Sequence, residues 1–142
     1  MNNVYARISL VAAAGAVGAI VQTLIIVGLS EMSVFQLIGL PFKIPFTLPY
    51  LYQRISWGGL WGLLFLIPFL PNAANTTRGL IFAAGPALAS LLFFLPFHDD
   101  MGWFGLKMGW GWPVVVVIFA LVWGYAAGNW LDRASGLLKA ED

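Results

Sequence analysis

The sequence predicts an all-α, integral membrane four-helix bundle made of two parallel helix–loop–helix repeats. Three observations carry that expectation. Four stretches, residues 8–30, 55–77, 79–98 and 108–131, contain no Asp, Glu, Lys or Arg. A bilayer core of about 30 Å needs roughly 20 helical residues, so each stretch is long enough to cross. Hydrophobic residues make up 61% of the 142-residue chain and charged residues 9%, with a mean hydropathy of +0.87. Soluble domains hold about a quarter charged residues, so the excess apolar surface here must face lipid or another subunit. Finally, the halves resemble each other. Trp57-Gly58 falls on Trp123-Gly124 and Gly62 on Gly128 at an offset of 66, while upstream Ala13-Ala14-Gly15 matches Ala83-Ala84-Gly85 at 70.

Residues 1–142 read as a single transmembrane domain with spans at about 8–29, 49–69, 79–96 and 113–131, and repeats at 8–70 and 79–133. The first span outruns the apolar core of a signal peptide, usually 7–15 residues, and is expected to be retained. Segment 31–49 carries Pro41, Pro45 and Pro49 and cannot be one helix. It is nearly as apolar as the spans, which leaves an interfacial or a re-entrant loop. Pro68 and Pro71 close the second span, and Asn72 to Thr77 form a polar turn before Arg78. The third span ends at His98-Asp99-Asp100, followed by a Gly- and Trp-rich loop. The fourth span begins near Pro113 and runs into a charged tail from Asp132.

Gly58-x-x-x-Gly62 and Gly124-x-x-x-Gly128 put small residues on one helix face, where helices in lipid approach closely. Ala14 with Gly18, and Gly85 with Ala89, repeat the spacing on the first and third spans. Tyr50, Tyr52, Trp103, Trp110, Trp112 and Trp130 are expected interface anchors. Lys and Arg divide as Arg7, Arg78, Arg133 and Lys139 against Lys43, Arg54 and Lys107, a slight bias that puts both termini in the cytoplasm. Size and hydropathy suggest a bacterial inner membrane.

Chemistry-bearing groups are few. Arg54 falls about two turns inside the second span. It either snorkels to the interface or pairs with Asp99, Asp100, an anionic headgroup or a solute. His98, Asp99, Asp100 and Lys107 complete the candidate ion or headgroup contacts. Gln22, Thr23, Gln53, Ser56, Ser90 and Asn129 are the other polar groups at membrane depth. With one His and no Cys, no metal site, cofactor or catalytic residue is expected. No nucleotide-binding or hydrolase motif is present, and a net charge of +1 gives no reason to expect a nucleic-acid partner. The expected partners are the lipid bilayer and either a second copy of the chain or other membrane subunits. The leading functional expectation is a structural or accessory subunit that packs helices in a membrane complex. The alternative is a homo-oligomeric channel or transporter for a small solute or ion.

Overall fold

The computed structural model describes residues 3–40, 43–44, 46–98, 100 and 102–141, and of residues 108 and 138–141 the backbone alone. Pro41, Pro45 and Asp99, and the side chain of Lys139, lie outside that description. Among the described residues the chain is all-helical, with no strand. Three helical stretches are long and apolar enough to cross a membrane: Val4–Glu31, Asn75–His98 and Trp112–Leu137.

Helix α1 (Val4–Glu31) starts where the Asn3 side chain accepts from the Tyr5 amide at 2.9 Å, satisfying a donor the first turn leaves open. Short helix α2 (Val34–Leu37) follows. It does not lie apart as a loop: Phe35 and Leu40 are buried against Ile26, Val115 and Phe119, and the Ile44 amide donates to Ser30 Oγ at 2.7 Å. Phe35, Leu40 and Ile44 thus anchor this segment to the bundle, while Met32, Leu37, Ile38 and Phe46 stay exposed.

Helix α3 (Leu48–Gly62) is capped by Thr47, whose Oγ1 accepts from the Tyr50 amide, and Pro49 sits in its first turn, where a missing N–H costs nothing. Against the expected span of 49–69, the α-helix stops at Gly62 and a 3-10 turn carries it to Leu66. Pro68 holds Ile67 in the extended region, which ends the helix.

The third apolar stretch is broken as well. Helix α4 (Asn75–Phe82) and helix α5 (Ala84–Ala89) are separated at Ala83, because Pro86 cannot donate to the Phe82 carbonyl. A π-helical segment, Ser90–His98, continues from α5 with Pro96 inside it. After two 3-10 turns within Trp103–Met108, helix α6 (Trp112–Glu141) runs well past the expected end at 131.

Successive long elements are antiparallel. α1 packs on α3 and α6, and α4 packs on α6. Glycines set these contacts: a Cβ on Gly15 would meet the Gly58 carbonyl oxygen at 2.1 Å, and one on Gly79 the Gly124 carbonyl oxygen at 2.1 Å. Gly85, which the 70-residue offset sets opposite Gly15, instead meets the side chains of Leu64 and Trp61.

Helix α4 takes its N-terminal cap from another helix. Asp132 on α6 accepts from the Asn75 amide at 2.9 Å, the Thr76 amide at 3.0 Å and the Thr76 hydroxyl at 2.9 Å. A carboxylate there meets both the open donors and the helix dipole. Asp132→Ala is expected to lower stability by about 1–2 kcal/mol, read from thermal unfolding in detergent. Asp132→Asn, which keeps one acceptor, should lose about half as much. Parent stability in both variants would show that the cap is dispensable.

Candidate functional site

Arg54 lies six residues past the start of α3, about 9 Å along its axis. Its side chain is half-buried and turns inward across the bundle. Nη2 donates to Gln22 Oε1 on α1, and Gln22 Nε2 donates to the Phe119 carbonyl on α6 at 2.6 Å. One glutamine therefore joins three helices and fixes which of its amide ends faces the guanidinium. The Tyr50 ring, one turn earlier, lies 5.9 Å below the guanidinium carbon, within cation–π range. Arg54 makes no ion pair with Asp100. The ion pair among the described residues is Lys43 with Glu31, at 3.6 Å between two exposed side chains.

The guanidinium borders a cavity of about 580 Å³ enclosed by α1, α3, α5 with the π-helical segment, and α6. That volume suits a small organic ligand. Its charged lining groups are Arg54 and, toward the loop end, Lys43, with His98 on the same rim; no carboxylate lines it among the described residues. The walls are largely aromatic, including Trp57, Trp61, Phe94 and Trp123, with Gln53 and Ser90 as further polar points. The π winding presents Ser90, Phe94, Leu95 and His98 to the cavity. Such winding is rare and occurs often at functional sites. A guanidinium with a neutral hydrogen-bond partner, beside aromatic walls, has the chemistry to pair with an oxyanion.

The structure brings Arg54 and His98 to one cavity and leaves Lys107 and Asp100 outside it, both exposed. Among the described residues no three His, Cys, Asp or Glu come together as metal ligands. Gly58 and Gly62 face α1, Gly124 and Gly128 face α4, and Gly18 faces the Trp123 carbonyl. Ala14 is buried in the core, and Ala89 is half-buried. Of the aromatic residues, Tyr52, Trp103 and Trp110 are exposed, whereas Tyr50 and Trp112 line the cavity. Trp130 packs on the core.

Gln22 is the site residue that sequence reasoning passed over as one polar group among several. No local pattern links it to a residue 32 positions later. Its position at the center of an apolar helix was the available signal. Comparison with protein-family models, curated proteins and solved structures returned no match.

Proposed function

We propose that this chain is a four-pass membrane protein that receives an anionic ligand in the Arg54 cavity, as the binding unit of a small transporter or channel. Four passes are consistent with the element lengths: α3 with its 3-10 turn covers about 30 Å, close to a bilayer core. The antiparallel order then puts both termini on one side, in this reading the cytoplasmic face of a bacterial inner membrane. One observation carries the functional reading. Arg54 is directed into a cavity, held by a neutral amide, with no carboxylate among the described lining residues. An arginine at the center of a span costs about 2.5–3.5 kcal/mol to insert, and a part of that at the depth of Arg54. Helix packing alone gives no reason to keep it. Gln22 engages one of the five guanidinium donors, leaving the others to grip an oxyanion.

A second reading, a structural or accessory subunit, has one observation in its favor. Val21, Ile25, Leu80, Ile118, Leu121 and Tyr125 line a shallow, almost wholly apolar groove on the opposite flank.

Methyl phosphate titrated into the protein in phosphatidylcholine nanodiscs, followed by phosphorus NMR, tests the cavity reading. Arg54→Gln should weaken binding about tenfold or more, equivalent to losing one charge-assisted hydrogen bond. Arg133→Gln, at a surface arginine bonded to Asn129, should leave binding unchanged. Equal affinity in the parent and Arg54→Gln would overturn the proposal.

A further inference from the structure

The two helical hairpins of this protein make closely similar glycine contacts. In the first, the Cβ positions of Gly62, Gly15 and Gly58 point at the Val11 carbonyl, the Gly58 carbonyl and the Ala19 methyl. In the second, those of Gly128 and Gly79 point at the Asn75 and Gly124 carbonyls, and that of Gly124 at the Gly79 carbonyl with the Ala83 methyl beside it, as Gly58 has the Gly15 carbonyl beside the Ala19 methyl. Equivalent positions are 64 residues apart on the leading helix of each hairpin and 66 apart on the trailing one. α1 therefore corresponds to α4 with its α5 and π continuation, and α3 corresponds to α6.

That correspondence exposes an asymmetry. α1 is closed against α6: a Cβ on Gly18 would meet the Trp123 carbonyl oxygen at 2.7 Å. Trp123 is 3% exposed there, its indole N–H donating to the Gly15 carbonyl at 3.0 Å. The equivalent flank, α3 against α5 and the π-helical segment, is packed less closely: Trp61 and Leu64 lie against Gly85, and beyond them it is met by the Trp57 and Phe94 rings. Among the described residues, the long helix that α3 packs against along its backbone is α1. Trp57, the counterpart of Trp123, is 44% exposed and reaches the Phe94 ring at 5.2 Å between centroids. Among the described residues side chains bridge this flank, and Trp57 and Phe94 also line the Arg54 cavity.

Resting on the cavity reading above, we infer that the ligand is an anionic amphiphile drawn from the bilayer, which enters sideways between Trp57 and Phe94. The geometry suits both ends of such a molecule. Arg54 lies about 9 Å along α3, a depth reached by a lipid headgroup, and offers its free donors to a phosphate or carboxylate. Trp61 lies about 10 Å farther along the same helix, so the enclosure continues past the cation into an aromatic slot that takes an acyl chain. An ion arriving from water needs neither the lateral opening nor the slot.

The test compares two single-chain probes bearing the same brominated acyl chain, one a lysophosphatidic acid and one a lysophosphatidylcholine. Each is added to the protein in phosphatidylcholine nanodiscs, with tryptophan fluorescence as the readout. Contact with bromine quenches tryptophan, and the shared chain cancels quenching from the surrounding lipid. The anionic probe should quench clearly more than the zwitterionic one, and Arg54→Gln should remove the excess. The chain has no cysteine, so Trp57→Cys with Phe94→Cys can be bridged by a short bismaleimide. Bridging should abolish the excess quenching, reported by Trp61 and Trp123, that the same double variant shows before the bridge is made. Methyl phosphate binding without excess quenching would overturn the amphiphile and leave the cavity as a site for a free anion. Excess quenching that survives bridging would overturn the lateral route. Failure of methyl phosphate and of both lipids to bind would sink the cavity reading itself.

Discussion

Gly15→Ala is expected to cost the folded protein about 3 kcal/mol or more, whereas Gly59→Ala should stay within about 1 kcal/mol of the parent. A methyl on Gly15 would stand 2.1 Å from the Gly58 carbonyl oxygen and 2.8 Å from Gly62 Cα. Both obstacles are backbone, so no rotamer change relieves them, and α1 and α3 must separate. At Gly59 the nearest atom is 3.5 Å away, ordinary contact distance, and alanine is the better helix former. Gly79→Ala should behave like Gly15→Ala, since its Cβ would meet the Gly124 carbonyl oxygen equally closely. Helicity followed during unfolding in detergent reads all three. Parent stability in Gly15→Ala would show that the two helices do not meet as described.

The second large effect is expected at Arg78, away from the cavity. Its guanidinium donates to the carbonyls of Phe65 (3.0 Å), Ile67 (2.7 Å) and Phe69 (3.1 Å), and to Asn75 Oδ1 (2.8 Å). Those carbonyls end a 3-10 turn and the loop after it, where no helix supplies partners. One planar fork serves a whole chain reversal. Arg78→Ala should therefore cost about 2–4 kcal/mol, and Arg78→Lys a large part of that, because an ammonium cannot span the same set of acceptors. Methyl phosphate binding by the folded fraction should be unchanged, which separates this arginine from Arg54. A stable Arg78→Ala protein would show that water replaces the guanidinium without loss.

The contrast between the two arginines marks how far the sequence could be read. Long apolar runs gave the helical fold class and three of the long elements, because burial in lipid demands uninterrupted apolar length. Gly58, Gly62, Gly124 and Gly128 stood out because the spacing itself defines a face. Their opposite numbers did not. Gly15 was overshadowed by Ala14 and Gly18 in the same spacing template. Gly79, the first residue of the expected third span, follows directly after Arg78 and lies outside the Gly85 and Ala89 pair that the spacing template picks out. The π winding was hidden for another reason: Pro96 reads as a helix terminator, and only the surrounding packing shows that the helix loosens and continues. The partner of Arg54 was illegible because amide side chains carry no charge pattern, so nothing nominated Gln22 over Gln53.

Helix α6 has one more consequence. Its 30 residues extend about 45 Å, half as long again as the hydrocarbon they are read to cross. Either it leans strongly or its last turns stand clear of the lipid. Charged residues resume at Asp132, so the last ten residues, about 15 Å, follow the apolar run, and it is there that Asp132 meets the start of α4.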